Sequence, residues 1–499
     1  MARQLRVYRN FRGGITTANP DNMLDTELIA AKNAIPSDRG GLSICEGVER
    51  FNATPFSDAP VHALIEYGDT EGNKYKLVNH GNALSLWDGT EITTQLNGPV
   101  KDWTAYEDNL YLLDGTDIWV FNGTTCVKAT KPAEAEQAAW DAVRKCTLAE
   151  MVNTRYYYAN PSSDIMYWSA VGKPLEVKMT QSSVVATDDG DTITALKEYA
   201  GTLVIFKKKT VFGFTGTSVS DFKLRRLEAS TGCVAPRTVT RVDSKLYYMG
   251  FDGLYMLFSP YPNVISATPR LTNYDIEEVI KKSPKQDIAC GIFYDNVYRL
   301  SLCTEGTQNT VEYRYYPSTE EQERGAWFGP MTHPAACYTL TLEGRLYKGS
   351  TTEGLIFECD KGNTYDGEMI PFEVTFKPYD LVGEMVRDMK LKKFFVAFRE
   401  YTETTTHVEM SLQVDFEEVH FDEIWVDESL VWGQGKWGHS KFGWSSFVTK
   451  EGRLSTKGKR ARLTIRNTKI GERLTLYGIA FELKARKARG TRFYAEGGN

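Results

Sequence analysis

The sequence reads as an all-β chain: a β-propeller of six or seven blades, with an extended N-terminal arm before it and a C-terminal antiparallel β-sandwich-like domain after it. Three observations lead there. One hairpin phrase recurs from about residue 60 to 362. Aromatic and β-branched residues alternate within each copy. Only one stretch in that span reads as a helix.

Residues 1–58 are assigned to the arm and a lead-in strand. Phe11-Arg12-Gly13-Gly14-Ile15 and Asp38-Arg39-Gly40-Gly41-Leu42 are rich in turn formers, and a short helix is expected over 25–33, capped by Asp25 or Thr26. The alternative for this stretch is a first propeller strand with a long lead-in.

The propeller is assigned to 59–362. Asn109-Leu110-Tyr111-Leu112-Leu113-Asp114-Gly115-Thr116-Asp117-Ile118-Trp119-Val120-Phe121 shows the phrase: strand, tight turn, strand. It returns around residues 77–89, 201–214, 245–257 and 344–357. Loops of two to four residues fix the register of each antiparallel pair. Radial stacking of such units covers both faces of every sheet and leaves only short edges, which favours a propeller. One alanine-rich helical insertion is expected at 133–151, with Ala135, Ala138, Ala139, Ala142, Val143 and Cys146 on one side.

The phrase ends at Lys361-Gly362-Asn363-Thr364-Tyr365-Asp366-Gly367, the composition of an exposed connection, so a domain boundary is expected near 361–368. The third domain, 363–499, has longer strands at 372–376, 390–399, 408–414, 461–466 and 474–483, which fit a sandwich. Its charge is uneven. Residues 400–428 hold ten acids and no Lys or Arg, whereas 451–499 hold thirteen Lys and Arg against four acids.

Composition narrows the function. The formal net charge of -6 argues against a whole surface built to grip nucleic acid. No run of eighteen apolar residues exists to span a membrane, and the first residues lack the apolar core of a signal peptide. Eight scattered cysteines, with no Cys-x-x-Cys, suit reduced and mostly buried thiols.

No catalytic signature stands out. The six His include no helical zinc pair, and there is neither a nucleophile elbow nor a phosphate loop. Gly433-Gln434-Gly435-Lys436-Trp437-Gly438 fits the dinucleotide spacing, but glycine and tryptophan continue where a helix should start. Trp425, Trp432, Trp437 and Trp444 form a candidate aromatic anchor loop, with a stacking platform for sugars or bases as the sharper alternative. Asp188-Asp189-Gly190-Asp191 reads as a solvated turn more readily than as a calcium loop. Propeller glycosidases set paired carboxylates on the central channel, which composition alone does not exclude, although sialidase boxes are missing.

Several phrases, in order, resemble the tail nozzle proteins of short-tailed bacteriophages, a family also called tail hub or packaged-DNA stabilisation proteins. They include Phe11-Arg12-Gly13-Gly14-Ile15, Asn19-Pro20-Asp21-Asn22 and Ala31-Lys32-Asn33-Ala34 in the first fifty residues. Further along come Tyr167-Trp168-Ser169-Ala170-Val171-Gly172-Lys173-Pro174, Asp189-Gly190-Asp191-Thr192-Ile193-Thr194-Ala195-Leu196, Thr231-Gly232-Cys233-Val234-Ala235-Pro236-Arg237-Thr238 and Lys245-Leu246-Tyr247-Tyr248-Met249-Gly250-Phe251-Asp252-Gly253-Leu254-Tyr255. The likeness is strongest over about 160–300 and thin at 450–492; Cys45-Glu46-Gly47 departs from it, where a basic residue is common before the glycine.

The resemblance implies a structural virion protein without catalysis, cofactor or metal, assembled in the host cytoplasm. It implies a homohexameric ring below the portal and adaptor, carrying fibres or spikes, with genome DNA passing through the lumen and no membrane insertion. The acidic first 450 residues lead us to expect a lumen that lets the duplex slide rather than holding it. For ring closure, Glu417, Glu418 and Asp422 on one surface and Arg486, Lys487 and Arg489 on another form a candidate complementary pair; the alternative is that both lie on one sandwich and neutralise each other within the subunit, or are merely solvated. The alternatives are another tail component such as a stopper or baseplate protein, a glycan-binding propeller module and, last, a propeller hydrolase.

Overall fold

A computed structural model describes residues 3–485 except 38–39, 187–188, 243, 262–263, 267–270, 273–274, 319–323, 382–388, 400–405, 416 and 427–446. The described chain is dominated by antiparallel strands and divides into two compact units. One unit is Glu46–Trp327 with Met331–Gly362; the other is Met1–Cys45, Phe328–Pro330 and Asn363–Asn499.

The larger unit is a succession of small sheets in chain order. The first runs Val61–Gly68, Lys74–His80, Ala83–Leu86, Glu91–Thr93, and the second Asp102–Tyr106, Asn109–Leu113, Ile118–Phe121, Cys126–Lys128. The third is Leu148–Val152, Arg155–Ala159, Ile165–Ala170, Lys173–Val184; the fourth is Ile193–Tyr199, Thr202–Lys207, Val211–Thr215, Lys223–Arg226. The fifth is Thr240–Val242, Lys245–Gly250, Gly253–Tyr261, Val264–Ser266. A sixth group, Cys290–Tyr294, Val297–Leu302, Val311–Tyr316 and Ala326–Met331 (of which Phe328–Pro330 counts with the other unit), precedes the last sheet, Cys337–Leu340, Leu346–Gly349, Ile356–Cys359. That last sheet takes its outer strand from far upstream: Val48–Arg50 pairs antiparallel with Ile356–Cys359, Val48 opposite Cys359.

Tight turns set the register. Asn153-Thr154, Ala200-Gly201 and Asp295-Asn296 each join a first strand to a second through two residues at positive φ, the backbone of a type I′ hairpin. The sheets then stack by their apolar faces. Ile65, Leu77 and Leu84 pack against Leu110, Leu112 and Trp119; Trp168 and Leu203 join the third sheet to the fourth; Phe206 and Tyr248 join the fourth to the fifth. Val61, Val78 and Trp87 meet Cys337, Tyr347 and Ile356, so the last sheet packs on the first. Face-to-face stacking of successive small sheets gives this unit its β-propeller character. All eight cysteines are buried and free.

Two helical expectations need correction. The insertion at 133–151 forms helix only over Gln137–Val143, burying Ala139, Trp140 and Val143, and Leu148–Val152 is already the first strand of the third sheet. Residues 148–152 pair antiparallel with the aromatic strand Arg155–Ala159, and that pairing overrides alanine's helix preference. The helix expected at 25–33 is absent: Glu27–Lys32 is a strand, with Leu28 opposite Phe376 and Ala31 opposite Val374.

Of the segment expected to be an arm and lead-in strand, the part up to Cys45 is instead woven into the smaller unit, while Val48–Arg50 belongs to the larger. Arg3–Arg9 pairs with Thr475–Ala485, and Ser43 lies opposite Thr475. One sheet of this unit orders Phe447–Gly458, Met389–Arg399, Thr475–Ala485, Leu42–Ile44 and Ala34–Pro36; a second carries Phe372–Phe376, Arg460–Asn467, Thr406–Val414 and Glu417–Val426. Phe394 of the first meets Phe421 of the second at 5.0 Å, edge to face. Gly452 lies opposite Phe394, where a Cβ would stand 1.9 Å from the ring, so only glycine lets the two strands pair there.

Candidate functional site

The residues singled out for ring closure are only partly described. Glu417 and Glu418 begin the strand Glu417–Val426, which forms a hairpin with Thr406–Val414. Glu418 accepts a hydrogen bond from Ser411, which is the main cause of its lowered pKa; the charges of His420, Arg462 and Arg466 add to it. Part of the acidic run therefore already faces basic side chains within its own sheet. Asp422 and Trp425 lie on the same strand, Trp425 opposite His407, but their side chains are outside the described residues. Arg486, Lys487, Arg489, Trp432, Trp437 and Trp444 also fall outside them.

The turn weighed as a calcium loop is committed elsewhere. Lys207, fully buried, donates to both Asp189 oxygens at 2.9 and 2.8 Å and to the Ala186 carbonyl at 2.9 Å. Asp191 accepts from the backbone N–H groups of Thr192, Lys208 and Lys209. The bond from Lys207 holds the Asp189 carboxyl below its usual range. Among the described residues, no cluster of His, Cys, Asp and Glu is arranged to hold a metal. Lys207→Met keeps the stem's packing but strips the turn of its anchor, and should cost about 1–2 kcal/mol in chemical denaturation. A change under about 0.3 kcal/mol would mean the anchor carries no net stability.

The larger unit carries a half-open cavity of 1570 Å³, lined by first strands of successive sheets and by the linkers before them. At its hub lies Arg237, on the one-turn helix Pro236–Thr238 between the fourth and fifth sheets. Its guanidinium donates to the His62 carbonyl at 2.7 Å and to the Val100 carbonyl at 3.1 Å. A side chain rooted between the fourth and fifth sheets thus reaches the first strand of the first sheet and the lead-in to the second. Its charge also reaches the thiols of Cys290 and Cys337, though burial dominates and pushes both thiols up.

Local packing explains why Arg237 is held there. Gly232 lies so close to the fourth sheet that a Cβ would stand 1.9 Å from the Lys207 carbonyl oxygen, which also accepts from the Cys233 N–H at 2.9 Å. Thr194 donates to the Cys233 carbonyl at 2.7 Å, and Tyr298 donates to the Thr238 carbonyl at 2.7 Å. Pro236 presets φ at the start of the turn.

A second cluster joins three neighbouring sheets on the cavity wall. Asp102 accepts from the N–H groups of Ala149 and Trp103, each at 2.9 Å. Glu150 pairs with Lys197 at 3.1 Å and accepts from the Glu198 N–H at 3.2 Å. Burial pushes the Asp102 carboxyl up to about 6; the Glu150 charge adds to this, while the two N–H groups and Lys197 pull it back. For Lys197, burial disfavours the charge, but Glu150 more than offsets it and the pKa is raised. The cavity wall therefore carries a carboxyl pushed up to about 6 beside the Glu150–Lys197 ion pair. Motif searches missed both clusters, because their residues are isolated in sequence and meet only when the sheets close.

No family model matches the chain, and no curated protein does. Solved structures with similar strand arrangements exist. The WD40 domain of Neurospora crassa Pan2 is 8% identical, over 65% of this chain and 97% of that one, with a TM-score of 0.39. The extracellular domain of a hybrid two component system of B. thetaiotaomicron is 13% identical, over 92% of this chain and 62% of that one, at 0.43. An exo-beta-1,3-galactanase of Phanerochaete chrysosporium is 9% identical, over 84% of this chain and 100% of that one, at 0.25. Likenesses at this level say nothing of what the chain binds or does.

Proposed function

We propose that the chain is a structural virion protein, a ring-forming nozzle or hub of a phage tail, built on a propeller of seven blades whose last blade is closed by Val48–Arg50. The observation that carries this reading is the placing of the family-like phrases. They fall in order on the third, fourth and fifth sheets, and Thr231–Thr238 among them is the segment that seats Arg237 at the hub. Under this reading the partners are copies of the chain, the adaptor and portal, and fibres or spikes, with DNA sliding through the lumen of the assembled ring.

A cyclic assembly needs two different surfaces on each subunit. The purified chain, alone or with its adaptor, should show rings in negative-stain images and hexamers by native mass spectrometry. Reversing Arg486, Lys487 and Arg489 to Glu should leave a folded monomer that no longer forms them. Reversing Glu417, Glu418 and Asp422 to Lys should then restore assembly. Normal rings from the first variant at low salt would show that these surfaces do not pair between subunits.

A second reading, a propeller hydrolase, is favoured by one observation: a cavity carboxyl, Asp102, raised to about 6 by burial beside a second acid, Glu150. Substitution of Asp102 separates it from the first.

A further inference from the structure

We propose that the hub of the cavity, where Arg237, Lys101 and His62 converge, is a binding site for a compact oxyanion, a phosphate or carboxylate group. Arg237 is anchored on the backbone of His62 itself and on that of Val100, the residue before Lys101. All three side chains line the cavity. Both hydrogen bonds of the guanidinium go to neutral carbonyls, and neither Arg237 nor Lys101 forms an ion pair among the described residues. Arginine presents five donors in a rigid fork, so two carbonyls leave donors over for an anion.

The electrostatics agree with the geometry. Lys101, although its side chain is exposed, has its pKa lowered, first by partial desolvation and then by the Arg237 charge, while Asp287, also on the cavity lining, works the other way. His62 is lowered to about 4 by burial, then by Arg237 and Lys101, so it is neutral at pH 7 and free to donate or accept through its ring. Two positive charges thus repel each other on one cavity lining. An oxyanion between them relieves that repulsion and accepts charge-assisted hydrogen bonds. Two carboxylates on the cavity lining are committed elsewhere: Glu150 is paired with Lys197, and Asp102 is bonded to two backbone N–H groups.

The test is isothermal titration of the full chain at low ionic strength with inorganic phosphate and, separately, with malonate. Saturable binding of one anion per chain is expected for at least one probe, and which probe binds tells phosphate from carboxylate chemistry. Lys101→Gln, on an exposed side chain, should weaken it at least tenfold, while Lys223→Gln, on an exposed strand of the fourth sheet, should leave it unchanged. Arg237→Gln should abolish binding where it folds; if it does not fold, Lys101→Gln decides alone. Failure of both anions to saturate the wild-type chain overturns the proposal. So does equal affinity in Lys101→Gln and Lys223→Gln.

Discussion

Glu312→Gln is expected to cost about 3–5 kcal/mol at neutral pH, because it removes the buried carboxylate that Arg314 and Lys348 share. Glu312 is 1% exposed on the strand Val311–Tyr316. Its carboxylate accepts from Arg314 Nε at 3.0 Å and from the Tyr338 hydroxyl at 2.6 Å, with Lys348 Nζ at 3.9 Å. Arg299 lies directly opposite Arg314 across the strand pair, a like-charge juxtaposition that needs anions beside it. Asp360 pairs with Arg299, and Glu46 reaches Arg314 at 3.4 Å. The cluster therefore ties the sixth group of strands to the last sheet. It also draws in residues next to both ends of the unit, Glu46 and Asp360.

Burial alone would raise the Glu312 carboxyl, but Lys348, Arg314 and Arg299 outweigh it and bring it down to about 2 from an ordinary 4.5. A depressed folded pKa gives stability that is complete above pH 4.5 and is lost as pH falls toward 2. The shift corresponds to roughly 3 kcal/mol. Wild-type and Glu312→Gln stabilities, followed by denaturant titration, should therefore differ most at pH 5–7 and converge near pH 2. Lys348→Met added to Glu312→Gln should cost less than the two separate losses combined, because the pair is already broken. A Glu312→Gln loss below about 1 kcal/mol at pH 7, or one that does not change with pH, would show that the cluster is not coupled as its geometry implies.

The repeated hairpins were legible because each is a local event. The turns Ala200-Gly201 and Asp114-Gly115 punctuate alternating apolar runs, and strands at 372–376 and 408–414 lie within a residue or two of where their patterns place them. Pairings that join distant parts of the chain left no such trace. Val48–Arg50 is three residues long, too short for a periodic signal, and acquires its meaning only opposite Ile356–Cys359. Residues 25–33 carry Leu28 and Ala31 at a spacing that also suits a helix; burial of both against Phe376 and Val374 decides for strand. The hub was illegible for the same reason, since His62, Lys101 and Arg237 lie on separate segments. One local signal was present: Gly232 and Pro236, four residues apart, bracket a backbone that must pass close to the fourth sheet and then turn.

Asp102→Asn should raise stability by about 2 kcal/mol at pH 8 and give no gain at pH 4. The folded pKa of about 6 lies above the ordinary 3.8, so the folded chain holds a proton that the unfolded chain has released. Stability therefore falls as pH rises from 3.8 through 6, by roughly 3 kcal/mol in all. Asparagine removes that cost but can accept from only one of the Ala149 and Trp103 N–H groups, giving back about 1 kcal/mol. Thermal and chemical unfolding at pH 4, 6 and 8 would follow the difference. Destabilisation at pH 8, or a gain that is constant with pH, would mean that the carboxyl is not strained by burial. A side chain that costs stability where it sits is a candidate for a role beyond packing. The same variant therefore separates the two functional readings. A stabilised chain that assembles into rings as before supports the structural role. A stabilised chain that has lost a hydrolytic turnover measurable in the wild type would make Asp102 the acid of a propeller hydrolase.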